Sequence, residues 1–151
     1  MSGNNSGITF LLADDDADDK TLFCEALSEI DPLIVCHTAS DGREALAILT
    51  ENQIKKPNII FLDINMPIMD GWQCLGKLKE HKDHKDIPVI IYSTSSYQRD
   101  IELALEGGAV CFFTKPSDYR ELRSILRMIA TTPVGSLSDV MKEFKNLKFT
   151  K

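Results

Sequence analysis

The chain has 151 residues, 17 of them Lys or Arg and 23 Asp or Glu, for a net charge of −6; that length fits one domain with a short extension, able to fold without disulfides or a structural metal. The acidic balance argues against a nucleic-acid binder, which would carry a basic face, and no run approaches the ~18 apolar residues of a membrane span. Residues 1–7 are polar and lack the apolar stretch of a secretory leader, and Cys24, Cys36, Cys74 and Cys111 form no C-x-x-C pair, so the expectation is a cytoplasmic protein with reduced thiols.

Five short apolar runs alternate with five helical patterns. Residues 8–13 (ITFLLA) are the first run; Leu22, Phe23, Ala26, Leu27 and Ile30 then recur at helical spacing. Residues 33–39 (LIVCHTA) are followed by Ala45, Ile48 and Leu49, and residues 58–62 (NIIFL) by Trp72, Leu75 and Leu78. Residues 89–93 (VIIYS) precede Ile101, Ala104 and Leu105, a helix stopped by Gly107-Gly108; residues 109–114 (AVCFFT) precede Leu122, Ile125, Leu126 and Ile129. The runs barely alternate in polarity, as expected of strands buried on both faces of a parallel sheet. Regular βα alternation implies right-handed crossovers with helices on both faces. After a break at residues 131–135 (TTPVG), residues 136–148 predict one more short helix, with Ser136 as N-cap and Val140, Met141, Phe144 and Leu147 on one face. The domain thus spans residues 8–130, and residues 131–151 form a helical tail.

In an open parallel sheet the working site lies at the carboxyl ends of the strands. Asp14-Asp15-Asp16 follows the first strand, Asp63 ends the third, Ser93-Thr94 the fourth and Lys115-Pro116 the fifth. Clustered carboxylates repel one another, and a hard divalent cation such as Mg2+ removes the conflict. Asp14, Asp15 and Asp63 balance Mg2+ and the Lys115 ammonium, leaving a neutral pocket open to an anionic phosphoryl group. Asp63 can then act as nucleophile, with Ser93 and Lys115 donating to the phosphoryl oxygens. Asp16, Asp18 and Asp19 read instead as the acidic first turn of a helix. His81 and His84, within an alternating-charge run, read as the solvated end of the third helix.

This constellation resembles the response-regulator receiver family over about residues 8–130. The likeness rests on Asp14-Asp15, on Asp63-Ile64-Asn65-Met66-Pro67 with Met69-Asp70-Gly71, on Ser93, and on Lys115-Pro116, with the family's intervals of 30 residues from Asp63 to Ser93 and 22 from Ser93 to Lys115. The resemblance implies a flavodoxin-like, doubly wound five-stranded parallel sheet of order 2-1-3-4-5 with five helices. It implies that Asp63 is the phosphoacceptor, that Asp14, Asp15, Asp63 and the Asn65 backbone carbonyl hold Mg2+, and that Ser93 swings toward the phosphoryl group. Phe112 takes the place of the switch aromatic, without the hydroxyl of the tyrosine often found there, and the Lys115–Pro116 bond is expected to be cis. The phosphoryl donor would be a sensor histidine kinase or a phosphotransfer protein, and the output a change in the face made by the fourth helix, fifth strand and fifth helix. The aspartate run at residues 14–19 resembles that of small stand-alone regulators, chemotaxis-regulator-like or partners of phytochrome-type kinases. Such a protein is not an enzyme, although it assists its own phosphorylation and dephosphorylation.

Other chemistries fit less well. A haloacid-dehalogenase-like phosphatase needs a second acid where Asn65 stands, and Asp14-Asp15-Asp16 would repel the phosphate of a flavin nucleotide. The alternative is an adaptor whose signal is set by partner contact. The tail's apolar face has no evident core to join, so the expectation is pairing of two copies as a homodimer, with back-packing or partner docking as the other outcomes.

Overall fold

The computed structural model describes residues 7–141 and 144–149. Its elements are β1 (Thr9–Ala13), α1 (Ala17–Ile30), β2 (Val35–Ala39), α2 (Gly42–Thr50), β3 (Ile59–Leu62), α3 (Gly71–Glu80), β4 (Val89–Ser93), α4 (Gln98–Glu106), β5 (Cys111–Thr114), α5 (Tyr119–Thr131), α6 (Leu137–Met141) and β6 (Leu147–Phe149). One turn of 3-10 helix at Val134–Ser136 leads into α6. The sheet order is β2-β1-β3-β4-β5-β6. The first five strands are parallel, as expected of the flavodoxin-like fold, and β6 runs antiparallel to β5. No described helix is long and apolar enough to cross a membrane.

Aspartates start four of the helices. Asp16, Asp41 and Asp70 each accept the backbone N–H three residues on, Asp118 accepts that of Arg120, and Asp70 forms a reciprocal capping box with Gln73. Each cap satisfies N–H groups that the helix itself leaves unpaired. α1, α2 and α5 begin within five residues of the strand before them, and α3 begins nine residues past β3.

Strand residues alternate between two cores. Phe10, Phe61, Tyr92 and Phe113 face α1 and α5 and pack with Phe23, ring centroids lying 4.9–6.4 Å apart at steep angles. Such edge-to-face contacts suit the ring quadrupoles. Leu11, Ile60, Leu62, Ile91 and Phe112 face α2, α3 and α4, an aliphatic core in which Trp72 is partly buried.

Three expectations need correction. The run at 33–39 is not buried on both faces: β2 is an edge strand with Val35 exposed, as is Leu22 of α1. His84 is buried rather than solvated, its ring stacked on His81 at 4.0 Å between centroids.

The larger correction is the tail. Among the described residues the helix covers Leu137–Met141 and does not reach 148, and Leu147–Phe149 form β6 instead. The reason is the open edge of β5, whose unpaired N–H and C=O groups a further strand can satisfy. Thr114 N–H donates to the Asn146 carbonyl (2.8 Å), and Asn146 Nδ2 donates to the Thr114 carbonyl (2.9 Å). Leu137 and Leu147 enter the aromatic core, with Val134, Phe144 and Phe149 packed against it. Leu147 and Phe144 of the expected face thus pack back on their own chain, while Val140 is exposed and the Met141 side chain lies outside the described residues.

Candidate functional site

The site residues stand one position beyond the strands and are pinned by their neighbours' backbones. Asp14 N–H donates to Ala39 O (2.9 Å), Asp63 N–H to Ala13 O (2.9 Å) and Lys115 N–H to Ser93 O (2.7 Å). The five-strand ladder thereby aims Asp14, Asp63 and Lys115 at one point. α3 closes in from the side: Gly71 N–H donates to Ile64 O at 2.8 Å. A Cβ at position 71 would collide with the Asp63 carbonyl and sit 2.9 Å from Ile64 Cα, so only glycine fits this approach.

Lys115 is the centre of the charge network. Its Nζ donates to Asp14 Oδ2 and Asp19 Oδ2 at 2.8 Å each and to Asp63 Oδ2 at 3.3 Å. It also lies 5.2 Å from the centroid of the Tyr92 ring, a cation–π distance. Burial opposes the Lys115 charge, but the bonds it donates to Asp14 and Asp19 and the charge of Asp63 outweigh it and hold the ammonium above its ordinary range. The other oxygen of each buried carboxylate is held by backbone: Asp14 Oδ1 accepts from Asp16 N (2.9 Å) and Asp63 Oδ1 from Ile64 N (2.7 Å). Burial pushes the Asp63 carboxyl up to about 6; Lys115 pulls against that shift and the like charge of Asp14 adds to it.

Oxygens of Asp14, Asp15 and Asp63 lie within 4.8 Å of one another. Two of these residues are buried and Asp15 is exposed, so the cluster opens to solvent on the Asp15 side. An all-oxygen donor set with one ammonium against several carboxylates is what a hard divalent cation fits. Asn65 is exposed, two residues past Asp63 and between the buried Ile64 and Met66.

Ser93 is buried, and its Oγ accepts from Ser95 N at 3.1 Å. Ser95 is itself a hub: its Oγ donates to Asp100 Oδ2 of α4 (2.6 Å), and its carbonyl accepts from Thr114 Oγ1 of β5 (3.0 Å). Phe112 lies fully inside the aliphatic core. An all-hydrocarbon ring has no hydroxyl to hold it at the surface, and burial is its favoured place. The Lys115–Pro116 bond, expected cis, is trans, the intrinsically favoured isomer.

Sequence reasoning therefore brings Asp14, Asp15, Asp63 and Lys115 together correctly in space but misses two participants. Asp19 fits the acidic first turn of α1, yet it also holds Lys115 and adds a fourth carboxylate to the charge balance. Ser95 carried no signal beyond its place two residues after Ser93.

Comparisons with known proteins agree with this geometry. The sequence profile described as response regulator receiver domain matches residues 10–127. A protein-glutamate methylesterase/protein-glutamine glutaminase of Methanococcoides burtonii is 37% identical over 127 residues, covering 82% of this chain and 34% of that protein. The chain thus spans about a third of that relative's length. Response regulator Rcp1 of Synechocystis sp. is 32% identical over 132 residues, covering 83% of this chain and 86% of Rcp1. The Mn2+-bound crystal structure of Rcp1 superposes with a TM-score of 0.69 at 27% identity, covering 95% of this chain and 99% of that one. The phosphorylated cyanobacterial phytochrome response regulator RcpA gives a TM-score of 0.75 at 28% identity, covering 89% of this chain and 95% of that one. With the profile covering most of its length and the acidic pocket at the strand ends, the chain belongs to the response regulator receiver domain family.

Proposed function

We propose that Asp63 accepts a phosphoryl group from a histidine kinase or phosphotransfer protein, and that Asp14, Asp15, Asp63 and the Asn65 carbonyl hold the Mg2+ this requires. The observation that carries the reading is the buried Asp63 carboxylate, 3.3 Å from the Lys115 ammonium and clustered with Asp14 and Asp15. Asp63 Oδ1 is fixed by Ile64 N–H, so Oδ2 is the nucleophile. It bonds to phosphorus as the bond to the donor's nitrogen breaks, and that electron pair leaves with the nitrogen. Bound Mg2+ supplies charge neutralisation at the phosphoryl oxygens. Lys115 Nζ, shared among three carboxylates, turns toward the incoming oxygens. The protein is on this reading a phosphoacceptor rather than an enzyme with a separate substrate, and a histidine-kinase donor puts the exchange in the cytoplasm.

Output would leave through Ser93. Drawing its hydroxyl to a phosphoryl oxygen breaks the bond from Ser95 N–H. Ser95 is bonded to Asp100 of α4 and Thr114 of β5, so the change reaches the α4–β5–α5 face with Phe112 on its inner side. Incubation with acetyl phosphate and Mg2+ should add one phosphoryl group by intact mass, and Asp63→Asn should add none. Undiminished labelling of the Asn variant overturns the assignment of Asp63. Failure of the wild type to label in every donor tried, kinase included, favours the adaptor reading.

A further inference from the structure

The end of the sheet opposite the acidic pocket holds a second enclosed space. A cavity of about 420 Å³ lies where α2 and α3 end, ahead of the amino ends of β3 and β4. α3 separates the two sites: Gly71 at one end lies against Asp63 and Ile64, His81 caps the other, and its ten residues span about 15 Å. Leu49 and Ile54 give the cavity an apolar wall, and its volume suits a small ligand.

Two imidazoles line it. His81 and His84 are stacked with ring centroids 4.0 Å apart and planes 16° apart. His84 is 8% exposed, yet among the described residues neither of its ring nitrogens has a hydrogen-bond partner, and the ring opens into the cavity. Asp83 N–H donates to His81 Nδ1 at 3.1 Å, so the neutral His81 ring carries its proton on Nε2 and is a donor at its other edge. Lys56 and Lys82 set two ammonium groups against the single carboxylate of Asp83, an excess of positive charge on a chain of net charge −6. Neither lysine forms an ion pair among the described residues.

A ring nitrogen's lone pair lies in the ring plane, so two stacked rings do not direct theirs at one ion, and His81 Nδ1 is already engaged. The pair is therefore no metal site. Cations also gather at helix C-termini without any ligand, and α2 and α3 both end here. That accounts for the lysines but not for a buried imidazole whose nitrogens no protein group meets.

We propose that this cavity binds a small phosphate compound, its oxyanion held by ring N–H groups of His81 and His84 and by the ammonium groups of Lys56 and Lys82. Ammonium groups act as point charges, which suits a tetrahedral head of high charge. Among the described residues no arginine, whose planar fork matches a flat carboxylate, lines the cavity. A phosphate group fills only part of the volume and leaves the rest for an organic portion against Leu49 and Ile54. None of this depends on phosphoryl chemistry at Asp63.

The test titrates inorganic phosphate into the isotopically labelled full chain in EDTA at neutral pH, with sodium chloride at matched ionic strength as the control, and follows amide and imidazole NMR signals. EDTA leaves Asp14, Asp15 and Asp63 without a cation, so the acidic pocket repels the probe and the two sites stay distinguishable. The expected result is saturable shifts at residues 49–56 and 81–84 with a Kd of about 1 mM or tighter, and none at Asp14, Asp15 or Asp63. Lys56→Gln, at an exposed position, should weaken binding about fivefold or more, and His84→Gln about tenfold or more. An otherwise unchanged amide spectrum shows that each variant folds; if His84→Gln does not, Lys56→Gln decides alone. Shifts that do not saturate, that chloride reproduces, or that fall outside these two segments overturn the proposal, and so does a Lys56→Gln variant that binds phosphate as tightly as wild type.

Discussion

The acidic pocket and the sixth-strand margin meet at a single peptide bond, since Thr114 ends β5 and Lys115 enters the pocket, yet they are built in opposite ways. In the pocket the backbone is already satisfied by the parallel ladder, and charged side chains are held against one another. At the margin the side chains are apolar, and backbone pairing draws β6 onto β5. The lesson is a separation of duties: changes in the pocket should alter chemistry and cation-dependent stability, whereas changes at the margin should alter stability alone.

The sharpest way to break that contrast is Lys115→Ala. Without the ammonium, the buried Asp14 and Asp63 lose their shared partner, and uncompensated buried charge costs about 3 kcal/mol or more. Melting measured in EDTA should fall accordingly, and Mg2+ should recover part of the loss, because a cation among the same carboxylates replaces the missing charge. Transfer from acetyl phosphate should drop about 10²-fold, the usual effect of losing one donor to developing charge. Wild-type rates in this variant would mean that the ammonium does not act on the phosphoryl oxygens. Wild-type protein should start from a higher stability in EDTA, since Lys115 already compensates part of the cluster, and should gain further with Mg2+.

Next in size is Leu147→Ala at the margin. Leu147 is 2% exposed and joins the aromatic core from β6. Truncating a buried leucine costs about 2–5 kcal/mol, with the lower end expected at a sheet edge that can relax. Urea unfolding should show a lower midpoint with an unchanged slope. Phosphoryl uptake per folded molecule should stay within about twofold of wild type, by the separation of duties above. A large loss of uptake with the fold intact would show that the margin and the pocket are coupled.

The two regions also differed in how far the sequence announced them. Asp14, Asp63 and Lys115 were legible because each sits at the end of an apolar run, and parallel strands must bring such ends to one edge. The helical stripes were legible for the same kind of reason, a period that the backbone enforces. Asp19 was not, because an aspartate in the first turn of α1 is fully accounted for by the helix end; only the three-dimensional approach of Lys115 gives it a second role. β6 was not, because whether Leu147-Lys148-Phe149 becomes strand depends on β5 lying at the margin, a tertiary fact. The exposure of β2 was not legible either, although His37 and Thr38 interrupt its apolar run, because which strand lies at the edge of the sheet is again a tertiary fact.

The smallest expected effect comes from Asp19→Asn, and it tests how far the pocket extends. Asp14 and Asp19 lie at the same 2.8 Å from Lys115 Nζ, so distance alone would rank them equal. Exposure separates them: the Asp14 side chain is 0% exposed and that of Asp19 34%. Solvent screens the Asp19 pair, which leaves it about 0.2–1 kcal/mol. An asparagine at this position still offers Lys115 an acceptor oxygen, so the ammonium keeps its place. Removing one negative charge should weaken Mg2+ binding while easing the approach of an anionic phosphoryl group, and the two effects oppose each other in the overall rate. The expected outcome is a change of less than about fivefold in uptake, with a modest rise in the Mg2+ concentration needed for half-maximal labelling. Because both effects act through solvent, the difference from wild type should shrink as salt is raised and the screening length falls from about 10 Å at 0.1 M to 3 Å at 1 M. A loss beyond tenfold that persists at high salt would place Asp19 inside the reacting set with Asp14 rather than at its solvent-facing margin.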